Sequence, residues 1–137
     1  YRVESGDIVF SRVADVGRAL VVSEQQAGWI ISSNFMRISL DQSVARPLFL
    51  YRNIAFNSAV HSQLRTASNA GGRDLVNGGI LSGLVFPWPS PEEQDRINNA
   101  VASIDATNNV AKSQLANFQS TKVGLIHDLL TGTVRVN

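Results

Sequence analysis

The chain of 137 residues has the length of one domain, or of one domain with an appendage. A net charge of +1, a hydrophobic fraction of 44% and a charged fraction of 17% exclude a generally disordered chain and a strongly basic tail. The absence of cysteine excludes disulfides, thiolate metal sites and cysteine nucleophiles. No apolar stretch approaches the roughly 20 residues of a membrane span, and no signal peptide is visible. We therefore expect a cytoplasmic protein.

The first forty residues predict short β-strands separated by turn-forming residues. Apolar runs follow glycine-containing turns at 7–10, 19–22 and 29–31, and residues 35–40 partly alternate apolar and polar side chains. Short β-rich runs between turn formers are typical of a small sheet.

A helix, a loop and another apolar run follow. A proline and apolar residues at helical spacing predict an amphipathic helix over 47–65. Residues 66–79 contain two Gly-Gly pairs and predict a loop. A strand-like run occupies 80–86, and three prolines between 87 and 91 end regular structure. These elements predict an α+β fold, with a small, mixed, β-rich domain over 1–89.

Residues 90–131 predict one long helix, followed by a tail over 132–137. Ser90-Pro91-Glu92-Glu93 has the pattern of a capping box. In this motif the Ser90 side chain accepts from the Glu93 amide and the Glu93 side chain accepts from the Ser90 amide. Gly132 is of the residue type that commonly ends a helix.

A mostly apolar stripe repeats along this helix with unbroken 4-3 spacing, and we call it the helix seam. It consists of Ile97, Val101, Ile104, Asn108, Ala111, Leu115, Phe118, Lys122, Leu125 and Leu129. A narrow stripe is typical of a helix that pairs with another helix. A helix of roughly 60 Å is also longer than one small domain can cover. The alternative is that the helix breaks in two and packs on its own domain.

Residue patterns typical of catalysis or of metal and cofactor binding are missing. His61 and His127 lack metal-ligand spacing to another histidine. The glycine pairs lack the Lys-Ser/Thr of a phosphate-binding loop. Asp7, Asp15 and Asp41 have no partner at a readable spacing for acid–base chemistry. We expect a non-catalytic binding or assembly module without metal or cofactor.

Two motifs in the last fifty residues carry a family resemblance. One is Pro87-Trp88-Pro89-Ser90-Pro91-Glu92-Glu93-Gln94, followed by Ile97 and Ile104-Asp105; the other is the closing Leu129-Leu130-Thr131-Gly132-Thr133-Val134-Arg135-Val136. Together they resemble the conserved region of type I restriction–modification specificity subunits. Upstream, Gly6-Asp7-Ile8-Val9-Phe10-Ser11-Arg12 resembles a strand of that family's target recognition domains, and Gly71-Gly72 precedes the last predicted strand as in the family.

The resemblance implies a DNA-specificity subunit that reads one half of a bipartite target on double-stranded DNA. It implies that two long helices pair antiparallel and dock methyltransferase subunits, in a complex with a restriction subunit. Other subunits of the family carry catalysis and bind S-adenosylmethionine, so no cofactor is implied here. The family's recognition domain is longer at its N terminus, and this sequence does not begin with methionine. We therefore expect either a piece of a longer chain, paired with that chain's second helix, or a half-subunit that forms a homodimer.

Arginine supplies all eight basic side chains of residues 1–90, and it suits both phosphates and guanine edges. Two segments, 11–18 and 65–73, concentrate arginine with serine, asparagine or glycine. The expected DNA-binding residues are Arg12, Arg18, Arg65, Ser68, Asn69 and Arg73. For each of them, a solvated surface position without a role in DNA binding is an equally supported alternative. Arg37 lies on a predicted strand, either on its solvent face or on its DNA face, and both alternatives stay open. We expect Arg52 to be an ordinary charged residue on the surface of the predicted helix.

A function of another class stays open, namely a non-catalytic coiled-coil assembly protein whose globular head binds protein. The two motifs favour DNA recognition. A gene neighbourhood with a methyltransferase and a helicase-like nuclease would discriminate between the two.

Overall fold

A computed structural model describes residues 2–13, 17–69 and 76–135 of the chain. Within these residues the fold is α+β: a three-stranded antiparallel sheet, three shorter helices and one long C-terminal helix. No helix in the described residues is long and apolar enough to cross a membrane. The chain divides into two compact units, Tyr1–Asn98 and Asn99–Asn137. This division lies after Asn98, within the long helix, whereas the sequence predicts that the helical segment begins at residue 90.

The strands are short and the helices take up more of the first unit than a β-rich domain would imply. The elements in chain order are β1 (Ile8–Ser11), β2 (Ala19–Val21), β3 (Phe35–Ile38), α1 (Pro47–Phe56), α2 (Ser58–Asn69), α3 (Gly78–Ser82) and α4 (Pro91–Leu130), with a 3-10 turn at Glu24–Gln26 between β2 and β3.

The sheet has the order β2-β1-β3, with β1 in the centre. Val9 lies opposite Leu20 of β2 and Arg37 of β3. The predicted strands at 7–10, 19–22 and 35–40 are therefore confirmed. The first is displaced by one residue, and the other two are shorter than predicted. The predicted strand at 29–31 is wrong, because that segment forms only an isolated bridge between Arg2 and Ile30.

Alternating side chains of β1 face two different clusters. Phe10 is fully buried against Ile54, Val60, Leu64 and Val76, which come from α1, α2 and the segment before α3. Since neighbouring strand residues point to opposite faces, Val9 faces the other way.

On that other face of the sheet, Val9 packs with Val3, Val22 and the half-buried Ile31 in a smaller cluster. The apolar side chains of β1 are thus divided between two faces, and only the face towards α1 and α2 carries the main core.

The turn before β1 is held by Asp7, which is almost fully buried. Its carboxylate accepts from the Glu4 amide at 2.7 Å and from the Ser39 hydroxyl at 2.6 Å. Gly6 has φ +88°, a conformation that favours glycine. Asp7 therefore binds this turn to the segment that follows β3, and both of its carboxylate oxygens accept hydrogen bonds within the fold.

The predicted helix over 47–65 is two helices, and α2 continues four residues into the predicted loop at 66–79. The break lies at Asn57, whose side-chain oxygen accepts from the Ala59 amide at 3.0 Å and from the Val60 amide at 3.4 Å. Asparagine at this position satisfies amide groups that the start of α2 leaves without helical partners. The break lets both Ile54 and Val60 reach Phe10.

The apolar run at 80–86 is not a strand. Asn77 accepts from the Ile80 amide at 3.0 Å and caps α3, which ends at Ser82. The chain beyond is irregular, and Gln63 of α2 holds Val85 through two hydrogen bonds of 2.7 and 2.8 Å. A short apolar run fits a helix or a strand equally well, and here the cap and the tertiary contacts decide.

The long helix α4 is continuous from Pro91 to Leu130, so the alternative of two helices is wrong. Ser90 accepts from the Glu93 amide at 3.4 Å, which is one half of the predicted capping box, and the Glu93 carboxylate pairs with Arg96. Hydrogen bonds from its own backbone amide and from the Ser90 hydroxyl lower the pKa of Glu92 below its usual range. Gly132, with φ +73°, follows the last turn as predicted.

Candidate nucleic-acid interface and helix seam

Arg12 joins three segments that are distant in sequence. Its Nε donates to the Val76 carbonyl at 3.2 Å and its Nη1 to the Ser33 carbonyl at 3.3 Å. Its backbone carbonyl accepts from the Val76 amide at 3.1 Å, and its amide donates to the Asn34 carbonyl at 2.9 Å. The ends of β1, of the loop before β3 and of the segment before α3 therefore meet at one edge of the sheet.

Gly17 brings the middle of α2 to the same edge. It is buried with φ +97°, and a β carbon at Gly17 would lie 4.0 Å from Leu64. Arg18 directly follows Gly17 in the chain, and Arg65 directly follows Leu64. The Arg18 carbonyl accepts from the Ser11 amide at 2.8 Å. We define the loop edge as Arg12, Arg18, Ser33, Asn34 and Arg65.

The expected DNA-binding residues have different surroundings. Arg18 and Arg65 are exposed, whereas Arg12 is half-buried and donates to the two carbonyls above. Ser68 is only 4% exposed and its hydroxyl donates to the Arg65 carbonyl at 3.2 Å, so it faces inward. Asn69 is the last residue of α2, and Arg73 lies outside the described residues.

Sequence reasoning passed over one part of the edge, the loop that precedes β3. Ser32, Ser33 and Asn34 are all exposed, and Arg12 fixes this loop through Ser33 and Asn34. The signal was present in the sequence, because Ser-Ser-Asn between two apolar runs is a polar turn.

Two other arginines stabilise the part of the fold around the first residues. Arg2 donates to the Gly28 carbonyl at 3.2 Å. Arg37 donates to the Arg2 carbonyl at 2.7 Å, and its Nε lies 3.7 Å from the Asp7 carboxylate. Arg37 thus lies on the sheet face away from the main core and is paired within the protein.

A buried glutamine holds the first turn of α4 against the segment that precedes α1. Gln94 is fully buried, and its side-chain oxygen accepts from the Arg46 amide at 2.8 Å. Its side-chain nitrogen donates to the Val44 carbonyl at 3.2 Å and to the Pro89 carbonyl at 2.9 Å. A buried amide group with its donors and acceptor satisfied stabilises one arrangement of the chain.

Two arginine contacts flank Gln94, and with it they form what we call the helix joint. Arg46 Nε lies 2.9 Å from each carboxylate oxygen of Asp95. Arg52 donates to the Asn98 side-chain oxygen at 2.6 Å and to its carbonyl at 3.1 Å. Arg52, expected as an ordinary surface charge, therefore belongs to this joint.

The helix seam is exposed along the second unit. Leu115 is 57% exposed and Phe118 is 72% exposed, and of residues 99–135 only Val101 and Asp128 are even partly buried. A second set of exposed apolar residues, Val123, Ile126 and Leu130, runs beside the seam at 3-4 spacing. Apolar residues exposed at heptad spacing are typical of a helix that pairs with another helix.

A cavity of about 670 Å³ lies on the core side of β3. Its walls are mostly apolar and include Met36, Ile38, Leu84, Phe86 and Trp88. Across residues 2–13, 17–69 and 76–135, no three His, Asp or Glu side chains are grouped to hold a metal ion. The His61 ring lies 2.7 Å from the Ile54 carbonyl, a contact within the helical layer.

Comparison with known proteins adds no family to this description. No protein-family model, no curated protein and no solved structure matches the chain. What the protein does must therefore be inferred from its own residues and contacts and from the motifs in its sequence.

Proposed function

We propose that this chain is a DNA-recognition module of a type I restriction–modification specificity subunit. The observation that carries the proposal is the exposed helix seam on a 40-residue helix. Leaving apolar side chains such as Leu115 and Phe118 in water is unfavourable. A second long helix would cover them, and the resemblance assigns this same stretch to a spacer helix that pairs with another.

The loop edge supports DNA as the ligand of the first unit. It includes the exposed residues Arg18, Ser33, Asn34 and Arg65, and these side-chain types contact phosphates and base edges. Segments 11–18 and 65–76 together contain four arginines and two aspartates, a net charge of +2. This small charge favours DNA binding by an assembled complex over binding by the isolated chain.

The remaining roles belong to partners of the module. The methyltransferase and restriction subunits supply catalysis and bind S-adenosylmethionine, and this chain itself contributes neither catalytic residues nor a cofactor site. Its partners are double-stranded DNA, those subunits in the cytoplasm, and a second long helix. That helix comes from the parent chain or from a second copy.

Charge complementarity favours an antiparallel pair when the partner is a second copy. The seam extends from Ile97 to Leu129 and has its midpoint at Ser113. An antiparallel twofold pair centred there places Ile104 of one copy opposite Lys122 of the other, with Asp105 adjacent. Opposite charges beside a helix interface set orientation, and the twofold axis creates this Asp–Lys pair twice.

A map of methylated adenines across the genome tests the proposed function. Cells carrying the gene as it stands are compared with cells in which residues 1–86 are replaced by another recognition domain. One half of a bipartite methylated motif should change while the other half stays. Unaltered methylation, or no methylation in either strain, would contradict the proposal.

The second candidate is an assembly protein whose coiled coil associates and whose head binds protein. Arg2, Arg12, Arg37, Arg46 and Arg52 favour it, because these arginines donate to carbonyls or carboxylates of their own chain. An arginine-rich composition then reflects structure more than DNA binding. The methylation map separates the two functions, since an assembly protein leaves methylation unchanged.

A further inference from the structure

A cavity of about 390 Å³ opens on the sheet face opposite the main core. Val9 lies directly opposite Leu20, and Ser11 directly opposite Phe35, so each pair shares a face of the sheet. All four residues line the cavity. Its volume falls within the range of about 300–1,000 Å³ that is typical of small-ligand sites.

The walls of this cavity combine flat apolar surface with polar groups at one end. Phe35 is 43% exposed and Leu20 is 45% exposed. Arg18 and Asn34 also line the cavity, and both belong to the loop edge. A nucleobase has the complementary shape and chemistry, since its two faces are apolar and stack on aromatic rings while its edge carries hydrogen-bonding groups.

Continuity with the loop edge favours a base over an apolar peptide or lipid chain. Asn34 has a donor and an acceptor for a base edge. Arg18, which lines the cavity, matches the phosphate that any nucleotide brings with it, whereas an apolar chain carries no phosphate to pair with it. Arg12 holds the loop that carries Asn34 and leads into Phe35 of β3 through its contacts with Ser33 and Asn34, so the cavity wall has a fixed position relative to that edge.

We propose that this cavity accepts one unstacked base of the DNA target, with the Phe35 ring against the face of the base and the Asn34 amide at its edge. This base site rests on the proposed function. It adds recognition of a base that has left the base stack to the recognition of base edges in the grooves of the duplex. Removing a base from the duplex has a cost that is smallest where the base is mismatched.

Binding by the assembled methyltransferase provides the test. Affinity is measured for duplexes that carry one mismatch at a time across the half-site read by this chain. A mismatch should tighten binding about tenfold at one position that is distinct from the methylated adenine. Phe35→Ala should abolish that gain. Phe35→Leu, which keeps apolar packing and removes the ring, should reduce it to about twofold.

Phe56→Ala is the matched control, because Phe56 is an exposed aromatic residue of α1 that does not line the cavity. It should leave the mismatch profile unchanged. Sequence-specific binding without any such position, or with a gain that survives Phe35→Ala, would overturn the base site and leave the proposed function standing. A complex that binds no DNA sequence specifically would overturn both.

Discussion

The side-chain oxygen of Gln94 accepts a 2.8 Å hydrogen bond from the backbone amide of Arg46, so the first turn of α4 is bound to the residue that precedes α1. The two residues are 48 positions apart in the chain. Because Gln94 is fully buried and uses both polar atoms of its amide group, this contact has little tolerance for substitution.

Replacing Gln94 by glutamate tests the helix joint. Gln94→Glu removes the donor to the Val44 and Pro89 carbonyls and places a carboxylate beside them. We expect the free energy of unfolding to fall by about 2–3 kcal/mol at neutral pH, as measured by urea denaturation. Gln25→Glu, at an exposed position of the same unit, is the control and should change stability by less than about 0.5 kcal/mol. Equal stability of both variants would show that the joint is unimportant.

Aspartate in the helix seam should prevent self-association of the isolated chain. Leu115→Asp together with Phe118→Asp places two charges where a partner helix would pack, and desolvating them opposes pairing. Light scattering at micromolar concentration should show a dimer for the unmodified chain and a monomer for this variant. Ser113→Asp with Ser120→Asp adds the same charge away from the seam and should leave the dimer intact. A monomeric unmodified chain would contradict helix pairing by a second copy.

Arg65 and Arg73 are expected to contribute to DNA affinity of the assembled enzyme. Arg65→Ala and Arg73→Ala should each weaken binding several-fold, and should reduce the slope of log affinity against log salt by about one where the lost contact is to phosphate. Arg96→Ala is the control, since Arg96 is exposed on α4 and pairs with Glu93. If both variants, Arg65→Ala and Arg73→Ala, kept the affinity and salt slope of the unmodified protein, the 65–73 segment would have no place in the interface.

Asp41 should titrate at lower pH in the folded protein than in the unfolded chain. Hydrogen bonds from the Ser43 hydroxyl and the Ser43 amide lower the pKa of Asp41 below 3.8. A carboxyl with a depressed folded pKa stabilises the fold above its unfolded pKa, and this contribution disappears as pH falls through the folded value. Ser43→Ala should raise the pKa of Asp41 in an NMR titration, while Ser5→Ala should not. A titration midpoint unmoved by Ser43→Ala would contradict this cause.

Local sequence signals predicted the elements whose ends are marked by turn-forming or helix-capping residues. β1 follows the Gly6-Asp7 turn, and α4 begins at Pro91 directly after Ser90 and is followed by Gly132, as their residue types indicate. The same reasoning is wrong at Asn57, which falls inside the predicted helix over 47–65 but instead caps α2. It was also wrong for the run at 80–86, where an apolar pattern without a distinct period fits either structure.

The candidate site was harder to predict than the elements. Arginine-rich segments indicated where charge is concentrated, and Arg18 and Arg65 are both exposed. Which arginines serve the fold could not be known in advance, because an arginine that donates to a distant carbonyl has no local signature. Arg12 turns inward for this reason, because its acceptor is the Val76 carbonyl 64 positions away. Ser68 turns inward within its own helix, where its hydroxyl donates to the Arg65 carbonyl.

The amino-acid sequence by itself determined the long helix, its apolar repeat and the absence of thiol chemistry, because each depends on residue type and on spacing within a few turns. Only the tertiary structure decided that Arg12 meets Val76 across 64 positions and that Gln94 closes on Arg46 across 48. Such contacts form when the chain buries Phe10 against α1 and α2. Burial of that core places distant backbone groups side by side, and polar side chains then satisfy groups that water can no longer reach.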